Sequence, residues 1–246
     1  MRKPMLSEKQ RKFVGEVGSV VLGVLIALAI GEIAEAIRWK LRVDNSMTAV
    51  RIEMAGNRWN LAERVAFQPC MDRRLEAIGA ILAEARRTEV LPRIETAGMT
   101  AYRMIDTSAF EVYQSEGVPL HMDRGEARQV ALLYDMSTGL YGELAEKEQE
   151  SWRTLQLLEG PGGRVGGDLV TVLLQAWINA KSQGRLIGVM ALQGDRKMAE
   201  FGIPAIEDDD KEWSESEMRE RVAKAEICGP MIADGKPVAV AKRLGS

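Results

Sequence analysis

The sequence has few of the side chains from which metal and redox sites are built. It contains one histidine, His121, and two cysteines, Cys70 and Cys228, and it has no Cys-x-x-Cys pair. Structural zinc sites use four His or Cys ligands, and redox-active dithiols use closely spaced cysteines. The residues therefore exclude a zinc centre built from His and Cys alone. We predict no metal and no cofactor, and we expect a protein that is not an enzyme.

Aromatic residues and net positive charge are also scarce. Phe, Trp and Tyr make up only 5% of the chain, whereas Ala, Leu, Glu, Arg and Met are plentiful, a balance that favours helices over sheets. The net charge is −3, but the first twelve residues carry +4, so the remainder carries −7. An acidic main body argues against nucleic acid as a main partner.

One long apolar segment stands out, "FVGEVGSVVLGVLIALAIGEIAEAI" at residues 13–37. Its central part carries no charge, and residues 14–33 supply the roughly 20 positions that a membrane-spanning helix needs. Glu16 and Glu32 then lie at the two interfaces, where a carboxylate costs far less than at the bilayer centre. Trp39 follows as an interfacial anchor. We predict a transmembrane helix over residues 13–37.

Two other interpretations fit part of this segment. A cleaved signal peptide would account for the basic start, the apolar stretch and "AEA" at 34–36, and a buried helix of a soluble protein would account for the apolar stretch alone. The helical pattern runs on through "EAIRWKLRV", which favours an uncleaved anchor. The basic flank predicts that residues 1–12 are cytoplasmic and that the bulk of the chain is periplasmic, on a bacterial inner membrane.

Small residues recur at every fourth position of the apolar segment. Residues four apart share one face of a helix, so they form a continuous ridge. In lipid such a ridge lets another helix approach closely. We therefore predict a helix partner, either another transmembrane subunit or a second copy of the chain. The ridge consists of Gly15, Ser19, Gly23, Ala27 and Gly31.

The rest of the chain predicts an all-α fold, in which the membrane helix continues into a periplasmic helical bundle at 38–230, before a tail at 231–246. The first helix should end near Phe67, because the residue before Pro69 is disfavoured in helical geometry. A second helix should bury one face, formed by Met71, Leu75, Ile78, Leu82 and Ala85. Cap and stop residues predict four further helices. These run from Thr107 or Ser108 to Gly117, from Asp123 to Gly160, from Asp168 onward with a break at Gly184 or Gly194, and from the capping box of Ser214 and Glu217 to about Cys228.

Three motifs suggest chemistry but lack part of it. "GPGGRVGG" at 160–167 has no Gly-Lys-Ser/Thr and no strand before it, so we interpret it as a flexible interhelical loop and not a phosphate loop. "EDDDKEWSESE" at 207–217 lacks the ligand order of a calcium loop and reads as a solvated acidic loop. His121 has no accompanying Ser or Cys nucleophile motif, so a surface or capping role is favoured over a general base.

The two cysteines are 158 positions apart, Cys70 at a predicted helix start and Cys228 at a predicted helix end. In an oxidising periplasm they are candidates for a structural disulfide. In a cytosolic domain, two buried free thiols would be preferred.

Several stretches together resemble a known family. "FVGEVGSVVLGVLIALAIGEIAEAIRWK", "CMDRRLEAIGAIL", "TSAFEVYQSEG" before a long "Y…L…E…SW" helix, and a late cysteine are similar to uncharacterised proteobacterial single-pass inner-membrane proteins with a helical periplasmic domain. The resemblance implies the same topology and a Cys70–Cys228 pairing, and it implies no catalytic residues. Related proteins often have a conspicuous tryptophan after the span, whereas in this chain the tryptophan, Trp39, comes later.

The leading hypothesis for function is a non-enzymatic scaffold or accessory subunit of an inner-membrane complex, which acts through helix–helix contacts. The alternative is a periplasmic sensor or small-ligand-binding module, in which a cleft between helices takes a small molecule. A hydrolase that uses His121 or the acidic loop is the third and least favoured.

Overall fold

A single unbroken helix forms the spine of the protein. In the computed structural model, which describes residues 8–100, 104–204, 220, 222–224 and 228–231, this helix (α1, Glu8–Thr88) has 81 residues, or about 120 Å at the helical rise. The all-α prediction is confirmed, since the structure is mostly helical. The other elements are β1 (Val90–Leu91), α2 (Ser108–Ser115), a 3-10 helix (Val118–His121), α3 (Arg124–Thr138), α4 (Leu140–Leu155), a second 3-10 helix (Gln156–Leu158), β2 (Gly163–Arg164) and α5 (Gly167–Glu200).

The predicted helix end near Phe67 is wrong, because α1 continues through Pro69 to Thr88. A proline inside a helix removes one backbone hydrogen bond and costs about 3 kcal/mol or more. Here Pro69 lies on the exposed side, while Phe67, Cys70 and Met71 are buried. Full burial of a large apolar side chain contributes roughly 1.5–3 kcal/mol, so the packing of the surrounding turns outweighs the cost of the proline.

Helix α5 packs along the part of α1 beyond residue 46, and α4 packs along α5. Arg58 of α1 contacts Asp195 late in α5, and Leu75 contacts Trp177 early in α5, so α5 runs antiparallel to α1. Two apolar clusters follow one another along α1. The proximal cluster includes Val50, Met54, Val130, Tyr141 and Ile187, and the distal cluster includes Leu75, Ile78, Leu82, Trp152 and Leu173. The predicted face from Met71 to Ala85 is confirmed as buried in the distal cluster.

Two predicted helix starts are confirmed. Helix α2 begins at Ser108 after the N-cap residue Thr107, and the chain leaves it at Gly117, which has a left-handed φ of 70°. Glycine adopts this conformation without steric cost. The side chain of Asp123 accepts hydrogen bonds from two backbone N–H groups in the first turn of α3, as an N-cap residue does.

The helix predicted from Asp123 to Gly160 is instead two helices. Gly139, with φ −67° and ψ −99°, separates α3 from α4, and this ψ lies outside the helical range. The break is local, because the Gly139 N–H still donates to the carbonyl of Asp135, and its own carbonyl still accepts from Glu143. The apolar pattern persists across such a break, so periodicity alone does not reveal it.

Helix α5 differs from its prediction at its start and in its middle. It begins at Gly167, so Asp168 lies in the first turn, where a carboxylate favours the positive end of the helix dipole, and not at the cap. Neither Gly184 nor Gly194 splits α5. Both are buried where α5 meets α1, and a methyl group at Gly194 would come within 2.8 Å of Leu61. These glycines allow close helix packing and do not break the helix.

The "GPGGRVGG" segment is paired to the segment that follows α1, and so it is not the free interhelical loop that we predicted. Strands β1 and β2 pair antiparallel, with Val90 opposite Arg164 and Leu91 opposite Gly163. Gly162 has a φ of 78°, and a Cβ there would lie 2.7 Å from the backbone of residues 91–93. Only glycine permits this approach. The pairing closes the end of the distal cluster.

Candidate functional site

The apolar N-terminal segment of α1 is exposed throughout residues 17–37. Among the described residues, α1 is the one helix that is long and apolar enough to cross a membrane, by length and composition. Every residue from 17 to 38 is exposed, including Glu32, and burial begins only with the half-buried Trp39. No other part of the described chain covers this surface. We call residues 17–37 the membrane segment of α1, after the span that the sequence predicts.

The predicted ridge lies open along the membrane segment. Ser19, Gly23, Ala27 and Gly31 are exposed, and a methyl group built on Gly23 or Gly31 would meet nothing within 4 Å. The side-chain surroundings of Gly15 and Glu16 lie outside what the structure describes. A second helix could therefore approach this face without displacing any described side chain.

Trp39 joins α1 to the 3-10 helix before α3. Its indole stacks on the ring of His121, with ring centroids 3.4 Å apart and an interplanar angle of 12°, and the guanidinium of Arg42 lies 4.8 Å from the Trp39 ring centroid. The sequence suggested a surface or capping role for His121, and its position on Trp39 could not be read from the sequence. The contact fixes the 3-10 helix at the level where α1 leaves the apolar segment.

A groove of about 800 Å³ lies beside Trp39, between α1 and α2. Arg38 and Arg42 give it two positive charges, Glu116 gives it one negative charge, and Leu41 and Val112 add apolar surface. In the described part of the chain, neither arginine has a carboxylate within salt-bridge distance. The groove therefore has the character of a site for an anion attached to an apolar group.

The start of α2, which forms one wall of this groove, is held by two polar side chains of α1. Glu53 accepts hydrogen bonds from the backbone N–H groups of Ala109 (2.6 Å) and Phe110 (3.2 Å). Asn57, only 1% exposed, donates to the carbonyl of Asp106 (2.7 Å) and accepts from its N–H (2.8 Å). These hydrogen bonds satisfy backbone groups at the start of the helix that have no partner within the helix itself.

A buried ion pair separates the two apolar clusters. The side chains of Arg64 and Glu148 are each 1% exposed, and Nη2 of Arg64 lies 3.1 Å from Oε1 of Glu148. Arg64 also donates to Gln68 and to the carbonyl of Gly184, and Thr100 donates to Glu148. Burial raises the pKa of the Glu148 carboxyl above its ordinary value, although the charge of Arg64 and the hydroxyl of Thr100 oppose the rise. The pair links α1, α4 and α5.

The sequence spacing alone favours a different residue at the position of Arg64. Apolar residues of α1 recur three and four positions apart, and this spacing leads from Leu61 to Val65. The buried positions instead pass through Arg64, while Val65 is only half-buried. A polar residue among the buried apolar positions of a helix, such as Asn57, indicates that it hydrogen-bonds to a specific buried partner.

The structure places the sulfur atoms of Cys70 and Cys228 2.03 Å apart, in agreement with the predicted pairing. The same C-terminal segment is held by Arg74, which donates to the carbonyl of Gly229, and by the carbonyl of Met231, which accepts from the N–H of Glu95. The capping box of Ser214 and Glu217, the acidic stretch at 207–217 and the tail beyond Met231 lie outside the described residues.

Comparison with known protein families, with curated proteins and with solved structures found no match for this chain.

Proposed function

We propose that the chain is a single-pass membrane protein of a bacterial inner membrane, with a cytoplasmic N-terminus and a helical periplasmic domain. It acts as a non-enzymatic scaffold or accessory subunit of an inner-membrane complex. The ridge at Gly15, Ser19, Gly23, Ala27 and Gly31 packs against another transmembrane helix, which belongs to a different subunit or to a second copy of the chain. The observation that carries the proposal is the membrane segment, which is wholly exposed, apolar and continuous with the core helix of the domain.

The continuity of α1 supports a role in assembly. The same helix presents the membrane segment and contributes Val50, Met54, Leu75 and Ile78 to the apolar clusters. A partner that binds the membrane segment therefore positions the whole domain, because no linker separates the two. The resemblance to single-pass proteobacterial proteins agrees with this arrangement.

Substitutions on two faces of the membrane segment test the proposal. Ala27→Leu adds bulk to the ridge, whereas Ala29→Leu makes the same chemical change on nearly the opposite face of the helix. Because small residues allow close backbone approach, we expect Ala27→Leu to weaken association and Ala29→Leu to leave it intact. Native purification of the full chain after mild solubilisation measures the size of the complex and its co-purifying subunits. A wild-type protein that migrates alone as a monomer contradicts the proposal.

A polar groove favours the second candidate, a sensor or small-ligand-binding module. The groove, of about 470 Å³, lies between α4 and α5, and its polar lining is formed by Lys147, Glu150, Ser151, Gln175, Asn179 and Gln183. One charge of each sign together with amide groups suits a small polar ligand. Thermal unfolding of the full chain with a panel of small metabolites tests this candidate. An unfolding temperature that no compound raises counts against it.

A further inference from the structure

The 3-10 helix at Val118–His121 places a large apolar side chain in an exposed position near the end of the membrane segment. Leu120 is 84% exposed, whereas Val118 is fully buried and anchors the same turn. The neighbouring His121 stacks on Trp39. Trp39 lies only two residues beyond the predicted span at 13–37, a rise of about 3 Å. Leu120 is therefore held at the level where a bilayer surface would lie.

The groove between α1 and α2 lies at this same level. Arg38 and Arg42, one helical turn apart, supply positive charge, and Leu41 and Val112 expose apolar surface beside them. The apolar surface of the membrane segment thus continues through Leu41 into the groove. A partner of matching character carries a phosphate next to hydrocarbon. Glu116 leaves a net charge of +1, which still favours an anion.

We propose that this groove and Leu120 form a binding surface for an anionic phospholipid of the adjoining leaflet. The phosphate lies against Arg38 and Arg42, the first methylenes lie against Leu41 and Val112, and Leu120 inserts into the leaflet. Cationic side chains near a bilayer surface attract anionic lipids, and exposed leucines add favourable burial in lipid. The inference rests on the proposed function, because it requires α1 to cross the bilayer.

The inference is tested with the full chain reconstituted in vesicles of phosphatidylcholine, with or without phosphatidylglycerol. A bimane label is attached to a cysteine introduced at Leu120, at Leu25 in the membrane segment, or at Leu157. Leu157 is the matched control, since it is an exposed leucine in the other 3-10 helix, close to the distal cluster. The native cysteines stay oxidised, and the unmodified chain serves as the labelling blank. Lipids with nitroxide-labelled acyl chains then quench a label that lies within the bilayer.

We expect strong quenching at positions 25 and 120 and little at position 157. Quenching at 25 but not at 120 overturns this inference and leaves the membrane anchor in place. An absence of quenching at 25 overturns the anchor as well, so the two failures are distinguishable.

A separate measurement tests the preference for an anionic lipid headgroup. Spin-labelled phosphatidylglycerol should associate with the wild-type chain more strongly than spin-labelled phosphatidylcholine. We expect Arg38→Gln and Arg42→Gln each to reduce this preference about fivefold. The double variant Arg86→Gln/Arg87→Gln, which removes two positive charges at the far end of α1, should keep it. An equal preference for the two lipids in the wild type overturns the assignment.

Discussion

Both parts of α1 contain small residues, but only the domain part packs some of them against other elements. In the membrane segment, a methyl group on Gly18, Gly23 or Gly31 would meet nothing within 4 Å. In the domain part, at Gly79, the same group would lie 2.6 Å from the indole of Trp177. A glycine inside a helix costs about 1 kcal/mol relative to alanine. At Gly79 the packing of Trp177 compensates for this cost, whereas the membrane segment shows no such compensation within one chain.

The comparison separates two reasons for which a helix keeps small residues. Gly79 allows the indole of Trp177 to approach α1 closely and to donate a hydrogen bond to the carbonyl of Leu75 (2.7 Å). On the opposing helix, Gly184 leaves room for the Arg64–Glu148 pair. These glycines serve the fold. Those of the membrane segment serve no contact in the described chain, and we infer that they serve a contact with another helix.

The largest expected effect comes from breaking the buried ion pair in the domain part. Arg64→Met leaves Glu148 as an unpaired buried charge, and we expect a loss of about 3–5 kcal/mol in the free energy of unfolding at neutral pH. The double variant Arg64→Met/Glu148→Leu is the control, and it should recover most of this loss. Urea unfolding of the full chain in detergent measures both. A single variant as stable as the wild type would show that the pair does not support the junction of the two clusters.

The same variant has a predicted pH dependence. Burial already raises the folded-state pKa of Glu148, so its contribution to stability is greatest below the ordinary carboxyl pKa and is lost as the pH rises through the folded value. Arg64→Met removes the charge that opposes this rise, so the pKa rises further. The deficit relative to wild type should therefore shrink between neutral and mildly acidic pH. A deficit that grows on acidification contradicts this reasoning.

The second effect concerns the link between α1 and the C-terminal segment. Cys70→Ser opens a loop closed across 158 positions, and loss of a native disulfide typically costs about 2–5 kcal/mol. We expect the variant and the reduced wild type to be destabilised equally in thermal unfolding. Reduction should leave the variant unchanged. An effect of reducing agent on the variant would contradict the pairing of these two cysteines.

The third effect compares two glycines of α1. Gly79→Ala forces a methyl group against the rigid ring of Trp177, and overpacking of this kind costs about 1–3 kcal/mol. Gly56→Ala is the matched control on the same helix, because its methyl group meets nothing within 4 Å. It should be neutral or stabilising by up to about 1 kcal/mol through helix propensity. Equal changes in the urea midpoint of the two variants would contradict the proposed role of Gly79.

Local signals in the sequence predicted the helices and their caps better than they predicted which residues of different elements contact one another. The apolar face from Met71 to Ala85 and the cap at Asp123 depend on nearby residues and were predicted correctly. The helix end near Pro69 was wrong because a long-range contribution, burial of the adjacent turns, outweighs a local preference.

The partners in the candidate site depend on residues far apart in the chain. Arg64 and Glu148 are separated by 84 positions, and Trp39 and His121 also lie on different elements. Each residue is unremarkable in its own segment, and periodicity assigns a face but not the residue opposite. Asn57 carries the clearest signal, because it interrupts an apolar pattern where a polar residue requires a buried partner.

The smallest expected effect on the fold comes from the membrane segment, and it completes the comparison with Gly79. Gly23→Ala adds a methyl group where the chain offers no contact within 4 Å, so the free energy of unfolding of the domain should change by less than about 0.5 kcal/mol. The same change adds bulk to the ridge and should weaken association with a membrane partner, although less than Ala27→Leu does. Urea unfolding and native purification, performed on one preparation, measure the two quantities together. A domain destabilised as strongly as by Gly79→Ala would place Gly23 in the fold, whereas a change in association alone assigns the ridge to a partner helix.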